Sequence, residues 1–460
     1  MGQGEEPNIN YKERVMTYLN SSQSQSRDDE FQRTGKEPAL LNNLLEKVLS
    51  PENIQIAWMK VRSNKGAPGI DKMTIEEFSA YAEIYWQKSI RPDLLNGIYQ
   101  PTALKRAIIE KDDGSERLLA IPTVCDRLIM KAIAQVLSPL FEPEFSDYSF
   151  GFRPNRSQKM AVKHVQDCIA TKRHTAVDVD LSKFFDRVDH DYLMTKLGRK
   201  IKDKGLLELI GKYLRAGIMD NAGQYFESRI GVPQGSPLSP LLSNIVLDEL
   251  DKELEKRGHY FARYADDFII LVRSQRAGER VLASVTKFVQ KQLKLKVNKT
   301  KSQVVPIKHS KFLGFTFNGK WLKWHPKTIE KFKREVRILT GRSWGVSMEF
   351  RLKELNKYLI GWINYFGIAN QFQLCVDLDG WIRRRIRLCF WKNWRKVKTK
   401  VKNLFKLGVY KDLAIFCGMS NKSHWHSSKT EGINKGLNDK FLKDLGLVSL
   451  KAKWVVIHHS

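Results

Sequence analysis

The chain has 460 residues with 79 Lys plus Arg against 50 Asp plus Glu, a formal net charge of +29 and a pI near 9.8, so its partners are expected to be polyanions. With 42% apolar and 10% aromatic residues it has material for cores in roughly two to four domains rather than for a disordered basic tail. No run of about 18 apolar residues occurs and the first stretch is polar and acidic, which argues against a helical membrane span or a signal peptide and predicts a cytoplasmic protein with no membrane partner.

Residues 1 to about 36 are rich in Ser, Gln, Asn and acids (SSQSQSRDDE) without sustained periodicity, and a flexible leader is expected there. From Pro38 the spacing turns helical, through Leu41, Leu44, Leu45 and Val48, then Ile54, Trp58 and Val61, and stops at the turn running from Asn64 to Gly69. Residues 100–122 predict a hairpin, with Ala107-Ile108-Ile109 turning at Asp112-Asp113-Gly114 and returning through Leu118 to Ile121. A helix from Asp126 to about Leu137 follows, then a Pro-rich aromatic loop reaching Gly151-Phe152-Arg153-Pro154.

The alternation in Val177-Asp178-Val179-Asp180 predicts a strand with valines on one face and both carboxylates on the other. Tyr264-Ala265-Asp266-Asp267 separates two apolar segments, Tyr260 to Arg263 and Phe268 to Val272, which predicts a hairpin with the acid pair at its tip. Between these strands, Gly231 to Gly235 reads as a loop, and a helix is expected to start near Ser239-Pro240 with the serine as cap. After a strand pair around Lys311 to Phe317 the last third is helical, with one apolar stripe at Ile329, Phe332, Val336 and Leu339 and another at Leu352, Leu355, Leu359, Trp362, Ile363 and Phe366. There is no internal repeat and no phosphate-binding G-x-x-x-x-G-K-[ST] loop, which disfavours a P-loop ATPase.

Charge is unevenly placed, because residues 301–460 hold 33 basic and 10 acidic side chains and so carry +23 of the +29. The densest stretch, Trp381 to Lys400, alternates Arg383, Arg384, Arg385, Arg387, Lys392 and Arg395 with tryptophans and a phenylalanine, the composition of a polyanion-binding face. Five widely spaced cysteines without a C-x-x-C pair indicate neither a disulfide framework nor a zinc module. His424, His426, His458 and His459 lack acidic or thiol partners at ligand spacing and read as surface histidines.

Three carboxylates on neighbouring strands, Asp180 with Asp266 and Asp267, are the chemistry that holds two divalent cations for phosphoryl transfer, and oxygen ligands suit Mg²⁺, with Mn²⁺ as a substitute. Spacing alone does not choose between Asp178 and Asp180. Several motifs in order resemble the reverse transcriptase family: Tyr264-Ala265-Asp266-Asp267, Val179-Asp180-Leu181-Ser182-Lys183-Phe184-Phe185-Asp186, and Gly231-Val232-Pro233-Gln234-Gly235. More narrowly, Asn64 to Asp71, Ile121 to Arg127, Ser149 to Ser157, Phe312-Leu313-Gly314-Phe315 and Gly361 to Phe366 resemble bacterial group II intron-encoded reverse transcriptases/maturases of the compact IIC type. Val232 and Ser236 depart from the residues common in that region.

The resemblance implies an α+β fold, a right-hand polymerase whose fingers and palm are followed by a helical thumb and a small basic DNA-binding segment. It divides the chain into a leader (1–36), N-terminal extension and fingers (37–175), palm (176–322), thumb (323–400) and DNA-binding segment (401–460). It assigns Asp180, Asp266, Asp267 and the Leu181 backbone to the metal ions, and Lys111, Arg117, Phe185, Gln234 and Lys301 to the deoxynucleotide. Phe185 would exclude a ribose 2′-hydroxyl, Lys301 would stand near the leaving pyrophosphate, and Phe312, Leu313 and Gly314 would form the primer grip. Arg153 and Arg156 would either touch the template or fix the fingers.

The expected activity is RNA-directed DNA synthesis joined to group II intron RNA binding, splicing assistance and retrohoming. Expected partners are the intron RNA, an RNA template with a DNA or RNA primer, target DNA and dNTPs. Neither zinc nor an organic cofactor is expected, and no endonuclease motif is seen. The competing expectations are a domesticated polymerase of phage defence or DNA repair, and an idle RNA-binding splicing factor.

Overall fold

The computed structural model describes residues 43–110, 114 and 116–459. The expected leader, the helix start at Pro38 and Leu41, and Lys111 lie outside the described residues. The N-terminal extension opens with helices α1 (Leu44–Val48) and α2 (Pro51–Ser63). The Ser50 side chain caps α2 by accepting the Asn53 N–H, with Pro51 in the first turn where its missing N–H costs nothing.

The fingers hairpin pairs β1 (Leu104–Glu110) with β2 (Glu116–Ile121), Lys105 opposite Ile121 and Glu110 opposite Glu116. Two strands that the sequence reading missed, β3 (Ile218–Met219) and β4 (Tyr225–Phe226), extend it to a four-stranded sheet. At two residues each they are too short to leave a periodic signal. Helix α3 (Val124–Phe141) begins two residues earlier and runs four further than predicted, capped by Thr123.

The palm sheet is built from β5 (Thr175–Val179), β6 (Tyr260–Tyr264), β7 (Asp267–Val272) and β8 (Gln303–Pro306), in the spatial order β6-β7-β5-β8, antiparallel throughout. Strand alternation sends its two faces into different cores. Val177, Val179, Phe268 and Ile270 join the core shared with the fingers and N-terminal helices. Ala176, Ala262, Ile269 and Leu271 join the core shared with the thumb. Helix α4 (Ser239–Lys256) starts at Ser239, but its serine does not cap: the hydroxyl donates to the Pro233 carbonyl at 2.7 Å and so ties the helix to the preceding loop.

The strand pair expected around Lys311 to Phe317 lies further on, as β9 (Phe315–Asn318) against β10 (Trp321–Trp324). Residues 312–315 instead close a tight turn, with Phe312 and Phe315 exchanging backbone hydrogen bonds and Leu313 and Gly314 both at positive φ. Three long helices follow: α5 (Pro326–Leu339), α6 (Met348–Phe366) and α7 (Phe372–Asn393). Most of both predicted stripes is buried between them, including Phe332, Val336, Leu355, Leu359 and Ile363, with Ile329, Leu339 and Phe366 half-buried.

Beyond α7 a small helical unit gathers Leu404, Val409, Ala414, Cys417, Ile433 and Leu437 around Trp391 of the thumb. The last helix, α8 (Leu450–His459), returns to the thumb, where Asp379 accepts the Leu450 and Lys451 N–H groups at 2.8 and 3.1 Å. Among the described residues no helix is long and apolar enough to cross a membrane.

Candidate functional site

The antiparallel register that sets Val179 opposite Phe268 brings Asp180 alongside Asp267 just past the end of β5. Strand alternation puts Asp178 on the same face, one step deeper. Asp266 sits in the two-residue turn that joins β6 to β7, beside Ala265 at φ +58°, so the predicted hairpin with acids at its tip is present.

The carboxyls influence one another electrostatically. Asp267 is open toward the cleft but flanked by protein, and burial together with Asp178 and Asp266 pushes its carboxyl up to about 7. Burial also pushes Asp178 up to about 6, partly offset by a Gln303 amide hydrogen bond. Asp266 is raised by burial and by Asp180, while the Arg117 and Arg263 guanidiniums oppose the shift. Among the described residues none of these four carboxylates makes an ion pair with a Lys or Arg. Asp178 thus belongs to the cluster electrostatically although the resemblance gave it no role.

The segment after α9 (Gln275–Lys291) holds the other side of Asp180. The Asp180 N–H donates to Ser302 Oγ at 3.0 Å, and the Asn298 N–H donates to the Asp180 carbonyl at 2.8 Å. Leu181 bridges to Val297, and Lys301 stands exposed on the Asn298 turn, so Lys301 and the metal-ligand candidates are brought together. Ser302 was not anticipated, since a serine in a Lys-rich turn carries no sequence signal.

Phe185 and Gln234 share a cavity of about 500 Å³ between fingers and palm, also lined by Arg106, Leu118, Leu119 and Phe226. Its loop is fixed from both sides: the Val232 N–H donates to the Phe185 carbonyl at 2.6 Å, and the Ala120 N–H of β2 donates to the Gln234 carbonyl at 2.8 Å. Gly231 and Gly235 have φ of +93° and +111°, and a Cβ on Gly231 would stand 2.9 Å from the Phe185 carbonyl oxygen. Arg117 lies exposed on β2, close enough to Asp266 for its charge to oppose the rise in that carboxyl's pKa.

The 312–315 turn reaches the acids directly. The Leu313 backbone lies near enough to the Asp267 carboxyl to oppose the rise in its pKa, and the Tyr365 hydroxyl of α6 donates to the Leu313 carbonyl at 3.3 Å. The expected primer-grip turn therefore stands between the thumb and Asp267, a link invisible in sequence because the three residues are far apart in the chain.

The arginines of the basic run are held by neighbouring protein groups. Arg385 donates to Thr340 Oγ1 and to the Arg337 and Thr340 carbonyls. Arg384 donates to the Trp425 carbonyl and lies 3.6 Å from that ring's centroid. Arg387 donates to the Leu437 carbonyl and, with Arg383, pairs with Asp439. Arg384, Arg385 and Arg387 thus satisfy carbonyls at helix ends, where cations are favoured, and Arg383 is held by Asp439, so all four half-buried side chains have partners within the protein. Lys392 and Arg395, by contrast, are exposed and form no ion pair among the described residues.

Arg153 is also spoken for. It is buried, pairs with Glu142 at 2.8 Å and donates to the Ser146 and Ser149 carbonyls, so of the two alternatives it fixes the fingers. Arg156 pairs with Asp147 at 2.6 Å nearer the surface.

A four-stranded palm with three carboxylates at its end, a fingers hairpin over it and a helical thumb beside it is the frame of a right-hand polymerase. Residues 109–317 match the reverse transcriptase (RNA-dependent DNA polymerase) family and residues 329–408 match the group II intron maturase-specific domain. The class is therefore a reverse transcriptase, an RNA-directed DNA polymerase.

Protein YkfC of Escherichia coli K12 is 32% identical over 324 residues, covering 62% of this chain and 84% of the relative. A putative COX1/OXI3 intron 2 protein of Saccharomyces cerevisiae is 27% identical, over 75% of this chain and 47% of the relative. The group II intron-encoded protein LtrA of Lactococcus lactis subsp. cremoris is 38% identical over 46% of this chain and 35% of the relative. The chain thus spans most of the first relative and under half of the other two. It belongs to the group II intron-encoded reverse transcriptase/maturase family.

Proposed function

We propose that this chain copies RNA into DNA at Asp180, Asp266 and Asp267, and that it binds a group II intron RNA to assist its splicing and mobility. The observation that carries the reading is the strand register that sets Asp180, Asp266 and Asp267 at one end of the palm sheet, with no Lys or Arg ion-paired to them among the described residues. All the donors are hard oxygens whose mutual repulsion a cation would relieve, so their chemistry suits a pair of Mg²⁺ ions, or Mn²⁺ in their place, that these three side chains and the Leu181 carbonyl would hold, although among the described residues the side chains do not already form an assembled metal site. When bound, such ions lower the pKa of the primer 3′-hydroxyl and neutralise charge on the departing pyrophosphate.

The protein's own groups supply position and selectivity. Lys111 and Arg117 of the fingers grip the triphosphate, and Gln234, fixed through its carbonyl to β2, lies under the nascent base pair. Phe185, packed against Phe184 at 5.2 Å between ring centroids, is the bulky side chain that would meet a ribose 2′-hydroxyl and so favours deoxynucleotides. Lys301 delivers a proton to pyrophosphate as the bond breaks. Phe312, Leu313 and Gly314 seat the primer end, and Arg156, Lys392 and Arg395 contact nucleic-acid phosphates. The fingers, palm, thumb and basic C-terminal unit divide template, chemistry, duplex and target DNA among them. A bacterial cytoplasmic location is part of the reading, supported by five unpaired thiols.

Primer extension on an RNA template with Mg²⁺ and deoxynucleotides tests it, wild type beside the Asp266→Asn, Asp267→Asn double variant. Extension by the wild type alone is expected, with intron RNA binding retained in both. No extension by either protein, with tight intron binding, would leave only an RNA-binding splicing role.

A further inference from the structure

Beside the acid hairpin the palm contains a fully buried ion pair that the roles above do not use. Arg263, on β6 three residues before Asp266, is 0% exposed, as is the Asp251 side chain on α4 that it pairs with. Its Nε donates to both Asp251 oxygens at 2.7 and 3.0 Å. One terminal nitrogen donates to Asn244 Oδ1 and to the Ala265 carbonyl, each at 2.9 Å. Asn244 in turn donates to the Gly151 carbonyl at 2.9 Å.

The fingers segment completes the frame. The Phe150 N–H donates to the Arg263 carbonyl at 2.8 Å and the Arg263 N–H donates to the Tyr148 carbonyl at 2.9 Å. Gly151 is pressed so closely on the turn that a Cβ there would collide with the Ala265 backbone nitrogen.

A buried charge pair is an expensive way to gain stability, because desolvation consumes most of the attraction and apolar side chains of similar volume serve as well or better. What apolar residues cannot do is hold a carbonyl. Ala265 is the residue at positive φ in the two-residue turn, and its carbonyl orientation fixes the peptide plane that leads into Asp266. Only a guanidinium fork reaches Asp251, Asn244 and that carbonyl together.

We propose that Arg263, oriented by Asp251 and Asn244, is a positioning residue for the reaction: it sets the Ala265–Asp266 peptide and thereby the spacing of the Asp266 carboxylate from Asp180 on the facing strand. The proposal rests on the polymerase reading of those acids. Its action is through backbone geometry, and Arg263 itself touches neither substrate nor cation.

The test uses the full chain and Arg263→Lys, which keeps a cation for Asp251 but cannot reach Asn244 and Ala265 as well. Binding of Mn²⁺ alone is read by the loss of its free-ion electron paramagnetic resonance signal, beside primer extension, RNA–DNA duplex affinity and the thermal midpoint. We expect Mn²⁺ affinity and the extension rate constant at saturating deoxynucleotide each to fall about tenfold or more, with duplex affinity and deoxynucleotide KM unchanged.

Wild-type Mn²⁺ affinity and rate constant in a folded Arg263→Lys protein would overturn the proposal and leave the polymerase reading standing. Should Arg263→Lys not fold, the double variant Arg263→Gln, Asp251→Asn removes both charges while keeping a similar volume. The same split is expected from it, and wild-type values from it would likewise overturn the proposal. If the wild type itself binds no Mn²⁺ and extends no primer, the polymerase reading fails first and the proposal with it.

Discussion

Asp267, pushed up to about 7, and Asp178, pushed up to about 6, tie folding to pH in a definite direction. A carboxyl whose folded pKa exceeds its unfolded value binds more protons when folded, so its charge destabilises the fold increasingly as pH rises from about 4 through the folded pKa. The cation-free protein should therefore lose thermal stability between pH 5 and pH 8. Asp267→Asn should flatten that loss, raising the midpoint at pH 8 more than at pH 5, and divalent cations should stabilise the wild type most at the upper end, where the carboxylates are ionised. Thermal melts at the two pH values, with and without Mg²⁺, check all three outcomes. These acids were legible because strand alternation and a turn between two apolar runs leave a pattern. The groups around them, Leu313, Ser302 and Arg263, were not, since each meets the acids through a backbone atom or across the fold. One signal was available: an arginine inside the apolar run Tyr260 to Tyr264 is costly unless paired.

At the scale of elements, helix α7 separates two kinds of cation that composition had merged. Arg384→Ala with Arg385→Ala removes ties to the ends of neighbouring helices, and should lower stability by about 1–3 kcal/mol while leaving the salt dependence of duplex binding unchanged. Lys392→Ala with Arg395→Ala should do the reverse, flattening the plot of log affinity against log salt by somewhat under one for each phosphate no longer neutralised, with little effect on melting. Duplex binding across a salt series, beside thermal melts of both double variants, separates the two. The primer-grip turn offers a second element test. Gly314 has φ +83°, and a Cβ there would stand 2.9 Å from the Phe366 ring, so Gly314→Ala should cost about 1–3 kcal/mol and weaken primer binding by loosening the thumb. Differential melting and primer affinity are the measurements. The thumb helices were legible from their apolar stripes. Which charged residues face outward was not, because helix-end carbonyls that recruit an arginine belong to other elements.

Across the whole molecule the palm sheet is the shared wall of two cores, the fingers side and the thumb side. Neither half can lose its packing without exposing one face of the same strands, so circular dichroism and the fluorescence of the thumb tryptophans Trp324 and Trp362 should report coincident unfolding transitions. A first transition confined to the thumb would show the cores to be independent. The order of fingers, palm and thumb was readable from motif order along the chain. The added finger strands and the return of α8 onto the thumb were not, since both are set by contacts distant in sequence. The strand order β6-β7-β5-β8 has a further consequence during synthesis on the ribosome. Strand β5 is made first yet ends between two strands made later, and its second neighbour is complete only at Pro306. At ordinary elongation rates its two valines wait on the order of 10 s for their partners, which makes the nascent chain, rather than the finished enzyme, the species that calls for a chaperone.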